Sequence, residues 1–175
     1  GADHVVLGTD ERDQPVTLPP YGRTVLIAGP SGSGKSTLAT ACLERLLERG
    51  YQCCLIDPEG DYETFPDALV LGDPSRPPTA EQVLQALDHA EGPVVVNLLG
   101  LRLSERPAIF AQLLPLLQHH RVQTGRPHWL VIDEAHHLLP RAWANAAQTL
   151  PRGLENALFL TVHPDEVSPS VLALV

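Results

Sequence analysis

The only lysine in this 175-residue chain, Lys35, lies inside the stretch Gly29-Pro30-Ser31-Gly32-Ser33-Gly34-Lys35-Ser36. Lysine and arginine together number 12, and all the others are arginine. The spacing G-x-x-x-x-G-K-S is that of the phosphate-binding loop called Walker A. Such a loop wraps phosphates with backbone N–H groups, and Gly32 and Gly34 let the backbone approach closely and take positive φ. Lys35 supplies a compact, flexible point charge where the planar fork of arginine would not serve. The Ser36 hydroxyl is a magnesium ligand in this reading, and Thr37 continues the loop into the following helix.

The flanks agree with the motif. Residues 24–28, Thr-Val-Leu-Ile-Ala, form a short apolar run that reads as a buried strand. Residues 35–49 read as a helix, with Leu38, Ala41, Cys42, Leu46 and Leu47 near helical spacing and Gly50 just past its end. The glycine loop therefore joins a strand to a helix N-terminus, where unpaired N–H groups and the helix dipole favour an anion.

Length and a hydrophobic content of 43% suit one domain over residues 1–175 with one sizeable core. No apolar run approaches the roughly 18 residues that span a bilayer, and no signal-peptide pattern is visible. Cys42, Cys53 and Cys54 lack metal-ligand spacing and are expected as buried thiols of a reducing, cytoplasmic compartment. The net charge of −9 argues against a uniformly basic surface, so DNA as a partner draws no support from charge. The Gly1-Ala2 start and the end at Val175 suit a piece of a longer protein.

Along the chain, residues 4–8 and 15–18 predict a small N-terminal β-hairpin, giving a division into residues 1–20 and a nucleotide-binding core over 21–175. Strands are expected over 52–56, 68–71, 93–98, 128–132 and 157–162. Helices are expected over 79–90, capped by Thr79 with Gln82 at the capping-box position, over 104–120 with Ser104 as N-cap, and over 141–149. Pro115 is expected to kink or split the second of these. Strands alternating with helices imply a largely parallel sheet covered on both faces, with ligands at the strand C-terminal ends.

Residues 129–134, Trp-Leu-Val-Ile-Asp-Glu, form an apolar strand ending in two carboxylates, the Walker B pattern. Asp133 is expected to hold magnesium and Glu134 to orient the attacking water. Neighbouring strand residues point opposite ways, so both can serve one phosphate only where the strand is ending. The sequence also spells Asp133-Glu134-Ala135-His136, a helicase box, but that class needs a second motor domain. His136-His137 and His119-His120 raise the idea of a metal site; neighbouring helical residues point apart, which argues against a shared ion.

The chain resembles the HerA/FtsK group of motor ATPases, within the additional-strand, catalytic-glutamate class of P-loop ATPases. The resemblance runs from about Val5 to Val162. It rests on the two Walker motifs, the hairpin before the loop, Asp57-Pro58-Glu59-Gly60-Asp61-Tyr62 after the second core strand, and Val95-Val96-Asn97-Leu98-Leu99-Gly100-Leu101. It implies a RecA-like α/β fold with a mostly parallel sheet and helices on both faces, ATP and Mg2+ as ligands, a homo-oligomeric ring, and translocation of DNA or another macromolecule. It also implies an active-site role for Asp57. Where the group commonly has glutamine after the next strand, this chain has His163, which the resemblance makes a γ-phosphate sensor. An arginine from a neighbouring subunit is expected, and Arg141 and Arg152 both lie on the Walker B side. The competing readings are a nucleotide-gated interaction module and a small-molecule P-loop kinase, whose only lid candidate is the segment 71–78 with Arg76.

Overall fold

The computed structural model describes residues 5–9, 15–18, 24–28, 35–141, 154–161 and 163–172. Residues 29–34 of the glycine loop and Arg152 lie outside them, as does the helix expected at 141–149 beyond Arg141 itself. Strands β1 (Val5–Thr9) and β2 (Pro15–Leu18) pair antiparallel as the expected hairpin. The core begins with β3 (Thr24–Ala28) and α1 (Lys35–Glu48), followed by β4 (Cys53–Asp57), β5 (Leu69–Leu71), α2 (Ala80–His89), β6 (Val94–Asn97), α3 (Arg106–Thr124) and β7 (Trp129–Ile132). A short α4 (Ala135–Leu138), β8 (Ala157–Thr161) and a one-turn α5 (Pro169–Leu172) complete it.

Six strands form one sheet in the order β3-β8-β7-β4-β6-β5, and every pairing in it is parallel. Strand β8 intervenes between the strand that leads into the glycine loop and the strand that ends in Asp133. An added strand at this place is what the resemblance to the additional-strand class implies. A parallel sheet needs cover on both faces, and alternate residues go to separate cores. Cys53, Leu55, Val95, Trp129, Val131, Leu158 and Leu160 pack with Cys42, Leu43 and Leu46 of α1. Cys54, Ile56, Val94, Val96, Leu130, Ile132 and Phe159 pack on the other face with Val83 and Leu87 of α2 and Phe110, Leu114 and Leu117 of α3. Both faces being apolar, these strands read in sequence as unbroken hydrophobic runs.

The capping box of α2 forms as expected: Thr79 Oγ1 accepts from the Gln82 N–H at 3.1 Å, and Gln82 Oε1 accepts from the Thr79 N–H at 2.9 Å. The next helix differs from expectation. Ser104 lies inside a 3-10 turn, Leu103–Glu105, and caps nothing; α3 starts at Arg106 with Pro107 in its first turn. It also outruns His120, ending where Gly125 takes the left-handed conformation at φ 76° and sends its N–H back to the Arg121 carbonyl. Pro115 does not split it: one helix runs through, and the proline sits on its exposed side. Among the described residues no helix is long and apolar enough to cross a membrane.

Candidate active site

Four strands of the sheet end in a buried polar residue. Asp57 closes β4, Asn97 closes β6, Asp133 follows β7 and Thr161 closes β8; each is 2% exposed or less. They share one edge because the register aligns them. Asp57 pairs with Asn97, Ile56 pairs with Ile132 just before Asp133, and Thr161 pairs with Ala28, the residue before the glycine loop. Burying polar groups is unfavourable unless they are partnered, and ligands of such sheets bind at the strand C-terminal ends, so this row is the candidate site.

The segment after β4 is built around Asp57. Its carboxylate accepts the backbone N–H groups of Asp61 at 3.1 Å and Tyr62 at 3.0 Å. Burial pushes the Asp57 carboxyl up to about 6; the Tyr62 and Asp61 N–H donors oppose the rise, and the Asp133 and Asp61 carboxylates add to it. Gly60 has φ 73°, and a Cβ there would lie 2.5 Å from Leu99 Cδ1, so this turn requires glycine. Asn97 is held in the same network, donating from Nδ2 to Glu63 at 3.0 Å and accepting the Leu99 N–H at 2.9 Å.

Glu59 points the other way along the edge. Its carboxylate accepts from Arg106 of α3 at 2.9 Å and lies 3.1 Å from His137 Nδ1, which is itself 3.3 Å from the guanidinium. Arg106 is buried while Glu59 is part-exposed. Burial holds His137 below the ordinary histidine range; Glu59 opposes this and Arg106 reinforces it.

Glu134 takes a left-handed backbone, φ 48° and ψ 49°, directly after β7. Non-glycine residues in that region cost on the order of 1–3 kcal/mol and cluster at functional sites. Asp133 and Glu134 both lie past the end of the strand, so the alternation of strand residues does not govern them. The turn brings His136 back to the edge. His136 Nε2 lies 3.3 Å from Glu134 Oε2, and its Nδ1 lies 2.9 Å from the Thr161 hydroxyl. Thr161 Oγ1 accepts the His163 N–H at 3.0 Å, and the His136 and His163 rings stand 5.0 Å apart, nearly perpendicular.

A protein-family model described as an AAA domain matches residues 21–166. The chain belongs to this AAA family of P-loop ATPase domains. The AAA domain is similar to the RecA protein of Rhodospirillum rubrum, 36% identical over 78 residues that cover 39% of this chain and 20% of that protein. The chain thus spans about a fifth of that relative's length. Its fold is similar to the genome packaging NTPase B204 from Sulfolobus turreted icosahedral virus 2. In complex with AMP the TM-score is 0.64 at 18% identity, covering 90% of this chain and 73% of that one. In complex with AMPPCP it is 0.60 at 19% identity, covering 88% and 71%. The pCW3 conjugation coupling protein TcpA, with ATPgS, aligns with all of this chain and 53% of its own at TM-score 0.55 and 17% identity.

The AAA domain brings Asp57, Asp133, Glu134 and His163 to one edge of the sheet. Lys35, Ser36 and Thr37 are the first residues of α1, which starts after the loop from Ala28. Gly29, Pro30, Ser31, Gly32, Ser33 and Gly34 lie outside the described residues. Carboxylate oxygens of Asp57, Asp61 and Asp133 lie within 4.8 Å of one another, a donor set that fits a hard divalent cation. The histidine argument from helical spacing is corrected. His136 and His137 rings are 4.4 Å apart on the single turn of α4, and both join Glu134 in a group of ligand atoms within 4.8 Å. His119 is exposed, and His120 instead meets Asp88 at 2.9 Å. The segment with Arg76 is a tight turn closed by Asp73 through reciprocal backbone hydrogen bonds. Arg106, Thr161 and Asn97 were not singled out by residue type. Asn97 and Thr161 carry the same signal as Asp57, a polar residue ending an apolar run; Arg106 carries none.

Proposed function

We propose that the chain is a single magnesium-dependent ATPase domain of the HerA/FtsK type, cytoplasmic, acting in a ring of like subunits to move DNA or another macromolecule. The observation that supports it most is the left-handed turn at Glu134, directly after the buried Asp133, at the end of a strand separated from the glycine-loop strand only by β8. The likeness in fold to a genome packaging NTPase and a conjugation coupling protein favours the translocase reading over a small-molecule kinase.

In this reading the backbone N–H groups of residues 29–34 and the α1 N-terminus hold the ATP phosphates, and Lys35 neutralises charge on the β- and γ-groups. Ser36 and Asp133 hold Mg2+, with Asp57 beside them. The bound ion supplies charge neutralisation on the phosphates. Glu134 orients water for in-line attack on the γ-phosphate and accepts its proton. His163, set by the Thr161 hydroxyl, senses the γ-phosphate from the end of β8. Arg141 is exposed, and it or Arg152 reaches the neighbouring subunit's nucleotide.

The test is phosphate release from Mg–ATP by the wild type and by Glu134→Gln across a range of protein concentrations. Turnover that rises with concentration and is lost in the variant agrees with the proposal, and DNA stimulation is the next measurement. ATP binding without variant-sensitive turnover at any concentration rejects it in favour of a nucleotide-gated interaction module.

A further inference from the structure

Beside the hydrolytic edge lies a groove of about 860 Å³ whose lining includes Ser104, Pro107, His136, His137, His163 and Glu166. The proposed hydrolysis uses Glu134 and His163 but gives no task to Glu166 or to the rest of this groove. His136, from α4, meets His163 and Glu166, from the turn after β8, with one ligand atom of each lying within 4.8 Å of the others. His136 is buried and the other two are exposed, so the cluster has an inner anchor and an open mouth.

The donor set is chemically distinct from the carboxylates of the magnesium edge. Two imidazoles and a carboxylate suit first-row transition ions, and Mg2+ prefers oxygen donors alone. Zinc takes imidazole nitrogen and carboxylate oxygen at roughly 2.0–2.2 Å, commonly in a tetrahedron. Small side-chain rotations bring atoms already inside 4.8 Å to such an edge. The Thr161 hydroxyl on His136 Nδ1 is the kind of outer partner that sets a ligating imidazole's tautomer, leaving Nε2, which lies 3.3 Å from Glu134 Oε2, as the nitrogen a metal would take. The His136 and His163 rings already touch edge to face at 5.0 Å.

We propose that His136, His163 and Glu166 form a binding site for a divalent transition ion, Zn2+ foremost, and that occupancy slows ATP hydrolysis. Bound metal draws His136 away from Glu134 and places positive charge beside that carboxylate, which weakens it as a base. The slowing rests on the role proposed for Glu134; the binding does not.

The experiment titrates untagged protein with Co2+, followed by its visible d–d absorption, and then displaces the cobalt with Zn2+. Phosphate release is measured in parallel at saturating Mg–ATP. The expected result is one equivalent of cobalt, displaced by zinc, with affinity reduced by about 10- to 100-fold or more in Glu166→Gln, the range that even outer partners of metal ligands show. Glu166→Gln keeps basal turnover but loses zinc inhibition, and His119→Ala behaves as wild type in both assays. Absence of stoichiometric binding, or wild-type affinity in both Glu166→Gln and His163→Ala, overturns the site. Loss of binding in Glu134→Gln but not in Glu166→Gln moves the ion to the Glu134, His136 and His137 group and overturns the assignment. Binding without slowed turnover rejects the inhibitory half alone. A wild type that binds cobalt but never hydrolyses ATP rejects the hydrolytic reading and the inhibition while the site stands.

Discussion

His136 stands between Glu134 and Thr161, with Nε2 3.3 Å from the carboxylate and Nδ1 2.9 Å from the hydroxyl. The imidazole is buried, so each contact restrains the glutamate that is proposed to act on water. Thr161→Val removes the hydroxyl from a buried site and leaves both His136 Nδ1 and the His163 N–H without that partner. An unpaired buried polar group costs about 1–3 kcal/mol. The expected outcome is a loss of stability of that order in urea unfolding. A drop in kcat larger than the change in KM should accompany it, because Glu134 loses its positioning while nucleotide contacts remain. An unchanged unfolding midpoint and unchanged kcat reject the positioning role.

Arg106 and Glu59 form an asymmetric pair, the guanidinium buried and the carboxylate part-exposed, 2.9 Å apart. Removing the carboxylate leaves a buried charge without its partner, whereas removing both leaves none. Glu59→Gln is therefore expected to destabilise the fold by about 1–3 kcal/mol, below the range for fully buried pairs because water reaches Glu59. Glu59→Gln with Arg106→Met should recover part of that loss. A double variant less stable than the sum of the two singles contradicts this account, and denaturant unfolding of all four proteins reads it directly.

The strands were legible because parallel, doubly covered strands are short unbroken apolar runs: residues 129–132 and 157–161 announce themselves. The Walker motifs announced Asp133 and Glu134 through spacing. What stayed hidden depends on contacts between distant segments. Arg106 looks like a helix-start arginine before a proline, and only the approach of the turn after β4, 47 residues earlier, makes it a partner of Glu59. The start of α3 was misplaced because Ser104 is a good cap by residue type, yet a 3-10 turn intervenes. The nearness of His136 and His137 has no sequence signature: on the single turn of α4 their rings meet edge to face and both reach Glu134, which spacing along a helix does not report. Strand order, with β8 between β3 and β7, follows from packing and has no local signature.

The three cysteines are free, buried and divided between the two cores. Burial pushes the Cys42 thiol up to about 11 and the Cys54 thiol up to about 12, and raises Cys53 further, with the neighbouring cysteines adding to the effect. Thiolate, not thiol, is the nucleophile. Native protein at neutral pH is expected to label slowly with a disulfide reagent, and all three thiols should react promptly after unfolding. Fast labelling of one thiol in the native protein shows that its helix or strand opens, and rejects the tight packing of that core.

Asp57 gives the fold a pH dependence opposite in sign to that of a salt-bridged carboxylate. Its folded-state carboxyl is raised from 3.8 to about 6, with burial the largest cause. Between these values the folded chain holds a proton that the unfolded chain has released. Stability contributed by this group therefore falls as pH rises from about 4 to about 6 and is level beyond. Asp57→Asn removes the titration while keeping an oxygen that can accept one of the two N–H bonds from Asp61 and Tyr62. In urea unfolding without nucleotide or metal, the difference in stability between wild type and Asp57→Asn is expected to shift against the wild type as pH rises through that window. If the difference is constant over the window, or shifts in favour of the wild type, Asp57 is charged at the strand end throughout. The carboxylate would then be stabilised by its backbone donors at least as much as it is penalised by burial.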